Sequence, residues 1–228
     1  MDHLTFRGGA GTAIRGGFTT RADGIGDTSI SGLVRLFSRG LHRAHLNLGL
    51  SLPTGSNTER DDILTPLGTT PTVRLPYAMQ LGSGTVDLLP GLTYVGRQQK
   101  LSWGAQYSGT VRTGSDNGYQ LGDKHQLTGW LAYQPISALS GSVRLRYDHE
   151  GSISGIDPRI AGPVQTANPD NYGGETLNLL LGMNWVGQSG WLKGKRLALE
   201  GALPVHRDLN GPQMEMDFVI TGGLQIAF

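Results

Sequence analysis

The sequence predicts an all-β protein built from long antiparallel strands that follow one another along the chain. The first observation is a regular alternation of apolar and polar residues in many separate segments. A period of two is typical of a strand with two different faces. The second observation is that short and long connections alternate between these segments. The third is that no segment reaches the roughly 18 consecutive apolar residues of a membrane-spanning helix.

The last segment, 214–228, shows the alternation most clearly. Every second residue is apolar or glycine, from Met214 through Phe218 and Leu224 to Phe228, and the residues between them are mostly polar or small. The same pattern occurs in AHLNLGLSL, where four leucines alternate with Asn47, a glycine and a serine. Such segments are expected to be strands with one apolar face.

The pattern predicts ten strands. They are expected at 1–7, 27–37, 44–52, 85–95, 101–112, 124–134, 139–150, 176–186, 196–205 and 214–228. Most have about the 9 to 11 residues that a tilted strand needs to cross a bilayer. Strands of soluble proteins average about 5 to 6 residues.

The connections between these strands are of two kinds. Short ones lie at 38–43, 96–100 and 135–138, with a somewhat longer one at 187–195; long ones lie at 8–26, 53–84, 113–123 and 151–175, with a shorter one at 206–213. If residue 228 lies on the periplasmic side, every short connection falls on that side, as in outer-membrane barrels. The sequence therefore predicts one domain, 1–228, forming an antiparallel up-and-down transmembrane β-barrel.

Composition excludes several classes of function. The formal net charge is +1, which argues against a nucleic-acid partner, since such proteins usually carry a basic face. There is no cysteine, so neither a disulfide framework nor a thiolate metal site is expected. Hydropathy alone suggests a soluble protein, but alternating strands of a barrel also average to a polar value.

The two faces of the predicted strands match two different surroundings. Apolar residues in the middle of each strand, with aromatic residues such as Trp103 and Trp185 near the short connections, suit contact with lipid. The opposite faces are expected to line the lumen. The lumen-lining set comprises Arg35, Asp87, Gln106, Arg112, Arg144, Arg146, Asp148, Arg196, Glu200 and Asp217.

Two interpretations of these charges remain open. In the first, residues of opposite sign form cross-strand ion pairs that fill a narrow interior. In the second, Arg144, Arg146 and Arg196 form a positive ladder facing Asp87, Glu200 and Asp217, and the resulting field selects what passes. Pro90 is awkward in a paired strand, and we expect a bulge or kink there that points Asp87 or Leu89 into the lumen.

Metal sites and cofactors are not predicted. His42 and His45 could share a metal only if their turn were helical, and we interpret them as a solvated turn. Asp116, Asn117 and Asp123 offer oxygen ligands for calcium or for a bridge to lipopolysaccharide phosphates, yet such residues are common in polar outer loops.

Two rival classes of function are considered. An outer-membrane lipid hydrolase or acyltransferase needs a serine within reach of a histidine, and His125 with Ser108 or Ser142 is the available set. No local nucleophile motif is present, so an enzyme is not predicted. A structural or binding barrel with a plugged lumen, whose long loops bind a partner, is the other rival. Loop 53–84 could instead fold inward as a constriction.

Several stretches carry a family resemblance: GIGDTSISGLVRLF (24–37), HLNLGLSLPTGS (45–56), LPYAMQLGSGTVDLLPGLTYVG (75–96), and then WGAQYSGTVRTG, NGYQLGDKHQLTGWLAYQ, RLALEGALPV and LNGPQ. The chain resembles the outer-membrane proteins assigned to transport in the phenol-degradation meta pathway, over essentially its whole length. The resemblance implies a bacterial outer-membrane β-barrel of about a dozen strands that moves small molecules.

The resemblance also implies strands upstream of Met1. Members of the family have a signal peptide and further strands there, so we expect about ten of some twelve strands in this chain, with the first cut to half length. Phe228 is expected to be the terminal aromatic residue that the barrel-assembly machinery reads.

The function expected from the sequence is a channel or transporter-like barrel for passive passage of small, aromatic or otherwise hydrophobic molecules. Its expected partners are outer-membrane lipid and lipopolysaccharide, the barrel-assembly machinery and the solute. Loops 53–84 and 151–175 are expected to gate the lumen.

Overall fold

The computed structural model describes residues 1–6, 14–160, 162 and 164–226. The protein is all-β, with 59% of residues in strands and 6% in helices. The strands are β1 (Asp2–Phe6), β2 (Ile14–Thr19), β3 (Thr28–Arg39), β4 (His42–Leu52), β5 (Arg60–Asp62), β6 (Thr72–Arg74), β7 (Asp87–Gln98), β8 (Leu101–Arg112), β9 (Tyr119–Gln120), β10 (Lys124–Ile136), β11 (Leu139–Glu150), β12 (Ser154–Gly155), β13 (Gly174–Val186), β14 (Arg196–Leu209) and β15 (Val219–Gln225).

Nine of these strands form one antiparallel sheet. Its order is β15-β14-β13-β11-β10-β8-β7-β4-β3, so each strand pairs with the nearest long strands before and after it in the chain. Small two-stranded pairs form within the long connections, β5 with β6 and β9 with β12. Within the described residues no closed barrel is found, because the edge strands β3 and β15 each pair on one side only.

The eight predicted strands from 27–37 to 196–205 are confirmed as strands of this sheet. Several are longer than predicted, because the ladder continues through polar residues at the strand ends; β7 ends at Gln98 and β14 at Leu209. The predicted alternation of short and long connections is confirmed from β3 to β13, whereas the last two connections, 187–195 and 210–218, are equal in length.

The first predicted strand is wrong as a member of the large sheet. β1 pairs with β2, a strand inside the predicted connection 8–26, and the two form a separate hairpin. This hairpin is held against the next long connection, since Thr5 Oγ1 donates to the carbonyl of Leu64 at 2.5 Å and Arg21 N donates to Asp61 at 2.7 Å.

The last strand is shorter than predicted. β15 begins at Val219, opposite Ala202 of β14, and does not include residues 214–218. Continuing the ladder would place Pro204 opposite Asp217, and proline has no N–H to donate. Arg207 instead holds Glu215 by an ion pair of 2.6 Å.

The bulge expected at Pro90 is wrong. Pro90 pairs with Leu48 of β4 in a continuous register. Toward β8, pairing lapses at Leu89 and Pro90, but the pairs on either side, Leu88 with Val111 and Gly91 with Ser108, keep the same register. Asp87 and Leu89 therefore share a face simply because strand residues alternate.

Helices are few and short: Tyr77–Met79, Gln165–Ala167, Pro169–Asn171 and Gly190–Leu192. In the part of the chain that the structure describes, none has the length and apolar character needed to cross a membrane.

The sheet has two contrasting faces. We call apolar face the side that carries the cross-strand row Leu92, Tyr107, Leu127, Tyr147 and Leu177, and polar face the side that carries the row Thr93, Gln106, Thr128, Arg146 and Asn178. The apolar face is open, and Leu127 is 56% exposed. The polar face is more enclosed, and Thr128 is 3% exposed.

Candidate functional site on the polar face

The apolar face continues across the sheet without a covering layer among the described residues. Exposed leucines recur on it, with Leu48 at 54%, Leu181 at 54% and Leu199 at 52% exposure. Aromatic residues lie toward both ends of this face: Tyr107 and Tyr147 toward the long connections, Trp103, Tyr133 and Trp185 toward the short ones. Burial is thus inverted relative to a water-soluble sheet, in which the apolar side is covered.

A row of polar side chains borders the apolar face at the long-connection end. The Tyr107 hydroxyl and His125 Nδ1 are 2.9 Å apart, the rings of His125 and His149 stack at 6.2 Å, and His149 Nδ1 lies 3.3 Å from Glu175 Oε1. This row separates the leucine band from the loops.

Asp148 is the hub of the polar face. Its Oδ1 accepts a 2.6 Å hydrogen bond from Gln126, and its Oδ2 accepts from Arg146 at 2.8 Å and from Asn178 at 3.2 Å. These donors come from β10, β11 and β13, so one carboxylate ties three strands together.

Arg144 lies four residues before Asp148 on the same face of β11, beside Trp130 and Glu200. Its guanidinium carbon is 5.6 Å from the centre of the Trp130 ring, and its Nε is 3.4 Å from Glu200 Oε2. That nitrogen is shielded from solvent and makes no hydrogen bond to any described residue. The pair is therefore an electrostatic contact that leaves one donor unused.

Arg112 and Asp87 form a buried ion pair at the long-connection end. Their side chains are 10% and 1% exposed, and Thr85 Oγ1 also donates to Asp87 at 2.7 Å. Burial of this kind fits an interior clamp between β7 and β8 rather than a surface open to solute.

The remaining predicted residues are more exposed. Arg196 donates to Asn184 Oδ1 at 2.6 Å rather than to an acid, and Asp217 is 91% exposed, 3.9 Å from Arg207. Gln106 lies in the middle row of the polar face, and Arg35 lies on the edge strand β3 opposite His45. Phe228 lies outside the described residues.

These contacts decide part of the question left open by the sequence. Arg112 and Arg144 each lie beside an acid on another strand, as the ion-pair interpretation expects, whereas Arg146 pairs with Asp148 two residues along its own strand. Arg196 donates to the amide of Asn184 instead of to an acid. Glu200 contacts Arg144 directly, so it does not belong to a separate acidic row facing the arginines.

A cationic cavity lies at the short-connection end of the polar face. It has a volume of about 350 Å³, and Arg97, Lys100, Arg144 and Arg196 line it together with Trp130 and several serines. No Asp or Glu lines it. Sequence reasoning missed Arg97 and Lys100 because they lie at a short turn, and only the register of β7, β8 and β10 brings them beside Trp130.

The long connections pack against one another. The ring of Tyr77 lies 4.7 Å from that of Tyr119 and 5.8 Å from that of Tyr172, and Ile153 and Ile160 complete the cluster. We call these five residues the loop cluster. It joins loops 53–84, 113–123 and 151–175, the first and last of which were expected to gate the lumen.

A buried ion pair reinforces the loop cluster. Arg74 and Asp157 are 2.6 Å apart, with side chains 3% and 0% exposed, and Arg159 Nε donates to Asp157 at 2.8 Å. Burial opposes the charged form of Asp157, but hydrogen bonds from Arg159 and Arg74 outweigh it and hold the pKa of this carboxyl below its ordinary value. Burial, with the nearby Asp157 carboxylate, raises the pKa of Tyr119 to about 12.

The oxygen ligands considered for calcium are used within the protein. Asp116 Oδ2 accepts from Asn57 at 2.8 Å and from Asn117 at 2.9 Å, while Asp123 accepts from the Arg112 backbone at 2.7 Å. The described residues contain no group of three or more His, Asp or Glu side chains placed to hold a metal.

The histidines considered for metal binding and catalysis are also accounted for. His42 and His45 lie on opposite faces of β4, and His42 Nδ1 is 2.8 Å from the Tyr94 hydroxyl. His125 lies on the apolar face, whereas Ser108 and Ser142 lie on the polar face, so the sheet itself separates this serine and histidine set.

Comparisons with known proteins supply no family. No protein-family model matches the chain, and no curated protein matches it either.

Proposed function

We propose that this protein is a bacterial outer-membrane β-barrel through which small molecules diffuse passively along the polar face. The observation that carries the proposal is the inverted burial, with Leu127 at 56% exposure on one face and Thr128 at 3% on the other. Each half-exposed leucine would gain on the order of 1 kcal/mol on passing from water into hydrocarbon. The resemblance to outer-membrane transport proteins supports the same assignment.

A location in the membrane also requires hydrogen-bond partners for the backbone groups of the two edge strands. Hydrocarbon offers no partner for an unpaired backbone N–H or carbonyl, so strands in lipid form closed rings. Under this proposal, the free sides of β3 and β15 pair with each other or with further strands when the protein is inserted.

The nature of the solute follows from the lining. The polar face carries arginines, carboxylates and amides, so it suits charged or polar solutes better than the aromatic or otherwise hydrophobic ones expected from the sequence. No cofactor or energy source enters the proposal, and the direction of flow follows the concentration gradient.

Tryptophan quenching tests the proposal directly, because the chain has only 4 tryptophans and three of them lie on known faces. We expect lipids brominated on their acyl chains to quench single-tryptophan variants that retain Trp103 or Trp185, on the apolar face. The matched variant that retains Trp130, on the polar face, should resist them and respond to aqueous acrylamide. Equal water access at all three positions would rule out membrane insertion in this orientation.

A second candidate function is a binding or structural barrel whose loops close the passage. The loop cluster and the Arg74–Asp157 pair favour it, since they hold the long connections together. Planar-bilayer recordings separate the two candidates: discrete conductance steps support passage, whereas a silent protein that conducts after proteolytic cleavage within 151–173 supports a plug.

A further inference from the structure

The cationic cavity has more positive charge than its surroundings neutralise. Arg97 donates to Gln134 at 3.3 Å, Lys100 to the Pro135 carbonyl at 2.8 Å, and Arg196 to Asn184. All three acceptors are neutral. Even with Glu200 set against Arg144, the other three cations have no carboxylate partner in the described part of the chain.

One donor in the wall is buried and unused. Arg144 Nε is shielded from solvent and makes no hydrogen bond, although its guanidinium is fixed between Trp130 and Glu200. A guanidinium presents its N–H groups in a planar fork that suits the two oxygens of a carboxylate. The terminal nitrogens of the Arg144 guanidinium, unlike Nε, are not shielded from solvent, so they are the donors that a ligand carboxylate in the cavity would meet.

The walls also set the size and character of the rest of the ligand. The cavity volume of about 350 Å³ accommodates a single ring or short chain, with the Trp130 ring on one side and Ser102, Ser140 and Ser142 on others. The Trp130 ring packs directly over Gly104 of the neighbouring strand. A Cβ added at residue 104 would lie 2.2 Å from the ring, so the glycine is what allows the ring to take this position.

We infer that the cavity lined by Arg97, Lys100, Arg144 and Arg196 binds a small organic carboxylate. The inference deepens the proposed function and rests on it, because it names the solute class that the polar face admits. The cations concentrate the anion at the short-connection end, the Arg144 fork orients its carboxylate, and its body lies along Trp130. Binding is expected to be weak enough for release, since Arg97, Lys100 and Arg196 are exposed to solvent.

Calorimetric titration of the folded full chain in detergent micelles tests the inference with benzoate as probe and benzamide as its neutral isostere. We expect benzoate to bind and benzamide to bind at least tenfold more weakly, because one charge-assisted contact contributes about a factor of ten. Equal binding of the two, or no benzoate binding, overturns the inference.

Two variants locate the site. Arg196→Gln should weaken benzoate binding roughly tenfold. Arg39→Gln, which replaces an exposed arginine opposite His42 on the apolar face and outside the cavity, should leave it unchanged. Equal effects of both variants would show general charge attraction and overturn the site. The outcome is independent of the lipid-quenching test, since a membrane-inserted protein that fails to bind benzoate refutes only the solute class.

Discussion

At the scale of single residues, glycines fix where the aromatic side chains lie. Gly104 of β8 is paired with Trp130 of β10, and the indole ring occupies the space that a side chain at residue 104 would take. The same arrangement occurs on the apolar face, where the Trp103 ring lies over Gly96. A glycine beneath an aromatic ring on the next strand gives the ring a flat surface to pack against.

Gly104→Ala should therefore destabilise the protein by about 1 to 3 kcal/mol, because the added methyl overlaps the Trp130 ring and forces it to move. Gly201→Ala is the matched control, since an added Cβ there meets nothing within 4 Å. Urea unfolding in detergent, followed by tryptophan fluorescence, measures both. A Gly104 variant as stable as the Gly201 variant would contradict the proposed packing of Trp130.

Asp157 gives the loops a pH-dependent stability. Because its pKa is lowered in the folded protein, its contribution is complete above its ordinary value of 3.8 and is lost as pH falls through the lowered value. We expect the near-ultraviolet circular dichroism of the loop tyrosines to be constant from neutral pH to about 4 and to decline below it.

Substitution separates Asp157 from the other loop acids. Asp157→Asn should destabilise the loop cluster by roughly 3 kcal/mol at neutral pH, because it leaves Arg74 buried and unpaired. Asp170→Asn, an exposed acid in the same connection, should change little. If the acid-induced decline persisted in the Asp157→Asn protein, another carboxyl would be responsible.

The candidate site shows which residue-level features sequence can supply. Alternation placed Arg144, Arg146 and Arg196 on one face, because the side-chain period of a strand is fixed at two. It could not place Arg97 or Lys100 in the same cavity, because their position depends on the register of strands β7 and β8 around a tight turn. It also could not identify the amide of Asn184 as the partner of Arg196, since this contact depends on the register of β13 and β14.

At the scale of elements, long two-faced strands were predicted well and the ends of the chain were not. Eight strands were identified because each pairs with a neighbour of similar length and pattern. β1 and β15 depend instead on particular contacts: the pairing of β1 with β2 in one case, Pro204 in the other. Such contacts determine the strand pairing but do not change the alternation of apolar and polar residues, so the alternation cannot reveal them.

The role of Pro204 can be tested by restoring its N–H. Pro204→Val should let β15 extend toward residue 214, because the ladder that now ends at Ala202 and Val219 could continue past Leu203. Amide hydrogen exchange at 214–218 should then slow by about tenfold or more, as newly paired amides become protected. Pro212→Val, in the preceding turn, should leave this exchange unchanged; unchanged exchange in both variants would show that Arg207 and Glu215, not Pro204, end the strand.

At the scale of the whole molecule, the polar face combines hydrogen bonds that join its strands with several charged side chains, and under the proposed function this face lines the passage. Asp148 accepts hydrogen bonds from Gln126 and Asn178 as well as from Arg146. Removal of Arg144 and Arg146 is therefore expected to change the electrostatic potential of the polar face more than the pairing of its strands. The acids Asp148 and Glu200 would then face the passage without cationic partners. The polar face can therefore be made more negative while its strands stay paired.

Arg144→Ala combined with Arg146→Ala should shift ion selectivity toward cations. A charge a few ångströms from the path changes the energy of a passing ion by about 1 kcal/mol in water, which corresponds to a several-fold change in the permeability ratio. The reversal potential in planar bilayers under a potassium chloride gradient measures this ratio, and Arg39→Ala, on the apolar face of β3, serves as the control for loss of a positive charge away from the polar face. Conductance with unchanged selectivity would mean that Arg144 and Arg146 act only as internal ion-pair partners, and that solute passes the sheet along a different line of side chains.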